Sequence, residues 1–221
     1  KNLPPFEKLL QQYLAKGVHI LDLCCGTGQM AQYLLEQGYK VTGLDMSKEM
    51  LHYARQNAPS ARFIQDDARY FKLSPTFDAV ISPSASLNHI MSLEELKSVF
   101  QNVYTSLIQN GVFLLGICLE EAYNFWNGSI TEGDIQDDYA WASRDSYNLQ
   151  DKIAQFQITI FQLLEKHWQR SDVIYKVKPY KQSEIVSTLE TVGFTEITVY
   201  DEDANLAEPE YNDYAIIACR K

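Results

Sequence analysis

Apolar and polar positions along the first half of the chain change period in a regular rhythm. Residues 18–23 (VHILDL), 40–45 (KVTGLD), 61–65 (ARFIQ), 77–82 (FDAVIS) and 111–118 (GVFLLGIC) are short and rich in apolar residues, as strands covered on both faces are. Between them the period lengthens to that of helices near 28–37, 47–57 and 92–109. The last of these carries its own boundaries. Ser92 and Glu95 make a capping-box pair, Leu96, Val99, Phe100, Val103 and Leu107 share one face, and Asn110-Gly111 reads as the stop.

Strand, helix, strand in this order predicts right-handed crossovers and a parallel sheet with helices on both sides. Ligands of such sheets bind outside the carboxyl ends of the strands. The chemistry is therefore expected just after Leu23, Leu44, Gln65, Ser82 and Cys118.

The rhythm breaks after Cys118. Tyr139, Trp141, Ser143, Asp145 and Tyr147 alternate with their neighbours, as do Phe156, Ile158 and Ile160, and then Val173, Tyr175 and Val177. Period two predicts antiparallel strands with one face covered. A helix resumes at Ser183, with Ile185, Val186, Leu189 and Val192 inward and Gly193 at its end. Two strands, 194–200 and 212–219, then flank the acidic stretch DEDANLAEPEY, read as a solvated connection. With no repeat and no low-complexity linker, the chain reads as a single domain. Residues 1–118 and 181–221 are expected to form its α/β core, and 119–180 a β-rich insertion expected to bind substrate.

Composition narrows the partners. Nineteen basic against 29 acidic residues give a net charge of −10, which disfavours nucleic acid. No run of apolar residues is long enough to span a membrane. Cys24, Cys25, Cys118 and Cys219 show no CxxC spacing, so reduced thiols in a cytoplasmic protein are expected, with no disulfide and no metal site. The first residues lack both a signal-peptide pattern and an initiator Met, so the chain is read as one that can begin inside a longer protein.

Gly26-Thr27-Gly28-Gln29-Met30-Ala31 follows the first strand and matches the G-x-G-x-x-A dinucleotide pattern. A tight turn with no ligand has the same glycines. What distinguishes this one is three acids at the ends of three successive strands: Asp22, Asp45 and Asp67. An acid after the second strand suits the vicinal hydroxyls of a ribose. An acid just before the turn repels a pyrophosphate but tolerates an ammonium or a sulfonium. An acid past the third strand can accept from an adenine amine.

The series ILDLCCGTG, VTGLDMSKEML, FIQDDAR and FDAVIS, with SLNHI, LIQNGVFLLGI and LETVGF in order behind it, resembles the class I S-adenosylmethionine-dependent methyltransferases. It is similar in particular to the small-molecule branch with a β-stranded insertion after the fifth strand. The resemblance implies a Rossmann-like, doubly wound, seven-stranded and mostly parallel sheet, with S-adenosyl-L-methionine as cofactor. Residue by residue, it implies Asp22, Cys24, Gly26 and Gly28 around the methionine part and Asp45 on the ribose. It further implies Met46 against the adenine, Asp67 (with Asp66 as its alternate) and the Ala68 amide on the adenine edge, and Ser82 along the methionine part. Cys24 stands where the family has glycine, and an extended backbone is expected for it because a Cβ disfavours positive φ.

On the acceptor side, His89 follows the fourth strand at the correct end of the sheet to act as a general base, or else bonds within its own loop. Asn88 beside it is a candidate substrate contact, as are Tyr123 and Trp126 just past the fifth strand, where aromatic rings can roof a pocket for an apolar or cationic acceptor. His19, His52 and His167 read as structural or exposed. The function expected is methyl transfer to nitrogen or oxygen of a small molecule, with a homodimer through the insertion as a possible assembly. The alternatives are an NAD-dependent oxidoreductase and a non-catalytic nucleoside-binding module.

Overall fold

A computed structural model describes residues 3–123, 127–206 and 214–221. Within them the expected strands form one seven-stranded sheet in the order β10-β11-β5-β4-β1-β2-β3. These are β1 (His19–Leu23), β2 (Lys40–Asp45), β3 (Arg62–Gln65), β4 (Phe77–Ser82), β5 (Leu107–Cys118), β10 (Thr195–Tyr200) and β11 (Tyr214–Arg220). Strands β1 to β5 pair in parallel, and β11 runs antiparallel against both β5 and β10. Strand order reverses at β1, which pairs β2 on one side and β4 on the other. A crevice opens at the carboxyl ends of such a pair.

The near-continuous apolar runs are explained by two cores, one on each face of the sheet. On one face Leu21, Leu23, Val80, Phe113 and Leu115 pack beneath α4 (Leu93–Ser106) and α5 (Gln182–Val192). On the other, Ile20, Val41, Ile81, Leu114 and Ile216 meet α1 (Leu3–Tyr13) and α2 (Gln29–Glu36), with α3 (Lys48–Asn57) alongside through Leu51 and Ala54. The α1 helix was not legible in the pattern, although its Phe6, Leu9 and Leu10 are buried.

Two boundaries differ from expectation. Helix α4 ends at Ser106 rather than 109, because Leu107 is already extended and pairs Phe77 at the start of β5. Asn110-Gly111 is therefore an irregularity inside the strand, with Asn110 at φ 63° and the register shifting between Phe77 and Ala79. The cap of α4 is half as read. Ser92 Oγ accepts from the Glu95 amide, but the Glu95 carboxylate turns to Arg69 instead of reaching back.

The insertion is a second, four-stranded antiparallel sheet: β6 (Asn127–Ile135), β7 (Tyr139–Asn148), β8 (Ile153–Leu164) and β9 (His167–Val177). Its inward face begins with Tyr147, Ala154 and Val177, which pack on Cys118 at the end of β5 and on Tyr123 just beyond it. Among the described residues no helix is long and apolar enough to cross a membrane.

Candidate active site

The turn after β1 reverses through alternating left-handed residues: Cys24 at φ 61°, Gly26 at 53° and Gly28 at 78°. The extended backbone expected of Cys24 is thus corrected. The Cys25 amide donates to the Leu44 carbonyl at 3.0 Å and the Gly26 amide to Asp45 Oδ2 at 2.9 Å, and residue 24 has to turn sharply to present both. A non-glycine residue held left-handed costs about 1–2 kcal/mol. At Gly28 the reason for glycine is also steric, since a Cβ there would lie 2.9 Å from the Ala54 Cα of α3.

Asp45 spans the base of the turn. Its second oxygen accepts from the Ser47 amide at 2.9 Å, and Ser47 in turn caps α3 through the Met50 amide. One carboxylate thereby fixes the glycine turn against the start of the next helix and keeps lone pairs for a ligand.

Asp22 is 1% exposed, and its Oδ2 has no hydrogen-bond partner among the described residues. Burial, and then the neighbouring Asp45 charge, push its carboxyl up to about 8. An unpaired buried acid is costly unless a partner arrives. Ser82 Oγ, also buried at the end of β4, likewise has no partner among the described residues. Cys24 is no reactive thiol: burial and the carboxylates of Asp45, Asp22 and Asp67 raise it to about 12, so it stays protonated at neutral pH.

Two adjoining cavities meet at the turn and share Cys24, Gly26, Met50 and Ser86 as walls. One, about 350 Å³, lies between Asp22, the turn and residues 83–86. The other, about 400 Å³, is walled by Asp45, Met46, Asp66, Asp67, Ala68 and His89. A Cβ at Gly26 would meet nothing within 4 Å among the described residues, so the turn borders open space there. An orphaned acid in the first cavity, a clamped acid between the two and an acid-rimmed apolar slot in the second match, in order, an ammonium, a ribose and an adenine. The residues present fit S-adenosylmethionine.

The sequence had placed Asp22, Cys24, Gly26, Asp45, Met46, Asp67, Ala68 and His89 near a ligand, and the structure brings these around the two cavities. Gly28 lies behind the turn against α3, and Ser82 is fully buried at the strand end. Met50, Ser84, Ser86, Arg69 and Ile90 were missed. Met50 sits three residues past the Ser47 cap, and that spacing was the available signal. Nothing in the local pattern announces Arg69.

Asn88 differs from its expected role as a substrate contact. It is 1% exposed, its Nδ2 donates to the carbonyls of Cys118 (2.9 Å) and Lys178 (3.0 Å), and its Oδ1 accepts from the Cys118 amide (2.9 Å). With those bonds made it is a staple joining the turn at 86–89 to β5 and to the end of β9. Tyr180 adds a bond to the Ile90 carbonyl (2.7 Å), and Tyr214 one to Pro83 (2.6 Å). The loop after β4 is thus pinned from three sides. His89, exposed at its tip, packs on Tyr175 with ring centroids 5.6 Å apart, and Tyr175 stacks on Phe156 at 4.6 Å. Tyr123 is 3% exposed and lies against Tyr147. Trp126 falls outside the described residues.

A sequence profile described as a methyltransferase domain matches residues 20–111. YqeM of Bacillus subtilis (strain 168), which bears a methyltransferase name, is 32% identical over 142 residues, covering 62% of this chain and 58% of its own length. A dTDP-3-amino-3,4,6-trideoxy-alpha-D-glucopyranose N,N-dimethyltransferase of Streptomyces venezuelae is 32% identical over 107 residues, 48% of this chain and 45% of that protein. The alignments therefore span about half the length of these relatives. Among solved structures, CalS10 with S-adenosylmethionine bound, an amino pentose methyltransferase from Micromonospora echinaspora, superimposes with a TM-score of 0.79 over 98% of this chain and 89% of its own. At 19% identity that likeness speaks to the fold.

Proposed function

We propose that this chain is a class I S-adenosylmethionine-dependent methyltransferase and that it moves a methyl group to the nitrogen of a small-molecule amine. The observation that carries the cofactor half is the buried, unpartnered Asp22 Oδ2 beside the glycine turn, with Asp45 clamped opposite. A pyrophosphate would meet an acid in that position, whereas an ammonium would find its partner. For the acceptor half, support comes from the amino-sugar N,N-dimethyltransferase among the relatives and from the aromatic insertion face beside His89.

When bound, the cofactor supplies an electrophilic methyl group. The chain's own task is to hold two reactants in line and keep water out, and alignment of that kind is worth up to roughly 7–11 kcal/mol. Asp22 takes the ammonium of the methionine part and Asp45 the ribose hydroxyls, while Met46 and Ala68 border the adenine. The inward face of the insertion closes the acceptor side through Phe156 and Tyr175, with the buried Tyr123 packed behind it. The amine attacks with its lone pair, and the His89 imidazole would accept the proton that the resulting methylated ammonium releases.

The outer face of the insertion exposes Ile135, Phe161, Trp168 and Ile174, and a second copy of the chain would dock there. A purely monomeric mass in sedimentation refutes that assembly. The setting proposed is the cytoplasm, as expected for four thiols without paired spacing.

The experiment is a screen of amino sugars and simple primary and secondary amines against their hydroxyl counterparts. Gain of one methyl, matched by S-adenosylhomocysteine formation, is expected for amines. Methylation confined to the hydroxyl counterparts refutes nitrogen as the acceptor.

A further inference from the structure

The chain has four methionines, and they are not scattered. Met30 and Met50 wall the first cavity, and Met46 and Met50 wall the second. Met91, the fourth, stands outside both walls, just ahead of the Ser92 cap of α4. Three of the four thioethers therefore border the space a sulfonium nucleoside would fill. Their exposure differs. Met46, directly after β2, is 65% exposed, and Met50, in the first turn of α3, is 45% exposed. Met30, on α2, is half-buried against the core.

Thioether walls suit such a ligand, because methionine is unbranched, polarisable and favourable against aromatic rings. The same sulfurs are open to oxidation. A thioether has no proton to lose and keeps its nucleophilic lone pair at any pH. The neighbouring thiol behaves oppositely. Cys24 walls both cavities, yet burial and the charges of Asp45, Asp22 and Asp67 push it up to about 12. A protonated thiol reacts poorly with peroxides, and Cys25 behind it is buried. The carboxylates that quiet the thiol leave the thioethers reactive, and Met46 and Met50 are the exposed ones around this turn.

We infer that Met46 and Met50 form a reversible oxidation site at which a hydroperoxide switches cofactor binding off. The sulfur lone pair attacks one peroxide oxygen, the S–O bond forms and the O–O bond breaks. The proton on the transferred oxygen passes to the leaving hydroxide or alkoxide, which departs as water or an alcohol. Sulfur is oxidised by two electrons and the peroxide reduced by the same two. The sulfoxide sets a strong acceptor oxygen in a wall that already holds Asp45, Asp66 and Asp67. Apolar contact with the base is exchanged for a polar group that demands water. Methionine sulfoxide reductases undo the change, one enzyme for each sulfoxide epimer. The inference rests on the S-adenosylmethionine reading above.

The test treats the whole chain with hydrogen peroxide, removes the peroxide, and titrates S-adenosylhomocysteine by calorimetry, with peptide mass spectrometry locating each added oxygen. Met46 and Met50 are expected to be oxidised ahead of Met30, with affinity falling by about tenfold or more. Both reductases together should restore it. S-adenosylmethionine present during the treatment, its cationic sulfur resistant to peroxide, should protect Met46 and Met50 but not Met91. With Met46→Leu and Met50→Leu combined, affinity after peroxide should stay within about twofold of that variant's own untreated value. Met91→Leu should lose affinity as wild type does. Wild type that carries both sulfoxides and binds as before overturns the inference, as does an equal loss in the double variant. If untreated wild type binds no S-adenosylhomocysteine, the cofactor reading falls and the inference with it.

Discussion

Cofactor binding should expel a proton, and Asp22 is the source. In the free protein its carboxyl is raised from 3.8 to about 8, burial being the larger cause and the Asp45 charge the second. At pH 7 such a group is about nine-tenths protonated. A ligand ammonium against Oδ2 restores the charged form, so about 0.9 proton leaves per site at pH 7, falling toward about half at pH 8. Stability carries the same sign. The folded free protein binds more protons than the unfolded chain between pH 3.8 and about 8. Its stability therefore falls as pH rises through that window, by at most about 6 kcal/mol from this one group. The ligand should recover part of that loss. The assay is calorimetry of S-adenosylhomocysteine binding at pH 7 in buffers of different ionisation enthalpy, where the slope of observed heat against buffer enthalpy counts protons. Asp22→Asn should flatten the slope and weaken binding by about 1.5–3 kcal/mol. A flat slope in wild type refutes the reasoning, because Asp22 would then not change its protonation when the ligand arrives.

Other consequences follow from single residues. Cys24→Gly should leave cofactor affinity intact and raise stability by up to about 1 kcal/mol in denaturant titrations, whereas Cys24→Val, β-branched at positive φ, should lower it. Gly116→Ala puts a Cβ 1.8 Å from Tyr214 Oη and should displace its bond to the Pro83 carbonyl. A cost of about 1–3 kcal/mol in thermal unfolding is expected, together with weaker cofactor binding because the loop at 83–86 loosens. His89→Ala should lower the rate constant for methyl transfer by about a hundredfold or more, with a much smaller loss of S-adenosylhomocysteine affinity from its place in the wall of the second cavity. An unchanged rate removes His89 as the base and leaves it only its packing on Tyr175.

The sheet and its order of motifs were legible because the central strands β1, β2, β4 and β5 are mostly buried on both faces, and continuous apolar runs are hard to place otherwise. Asp22 and Asp45 were legible for a related reason: an acid inside or closing such a run needs an explanation. Other features escaped because they depend on contacts distant in sequence. Asn88 looks like a pocket residue until Cys118 and Lys178 are brought around it. Glu95 looks like a capping residue until Arg69, 26 positions earlier, reaches it. Cys24 was assigned by intrinsic preference, and the two backbone bonds made by Cys25 and Gly26 overrode that preference. Asn110-Gly111 has the chemistry of a helix stop, but the pairing of Leu107 with Phe77 ends the helix first.

The central claim is that the crevice between β1 and β4 holds a sulfonium nucleoside and no dinucleotide. Parallel calorimetric titrations of the wild-type protein with S-adenosylmethionine and with NADH test it most directly. Saturable binding of S-adenosylmethionine at one site per chain, lost in Asp45→Ala, with no heat from NADH, is the predicted result. Binding of NADH with none of S-adenosylmethionine would contradict it.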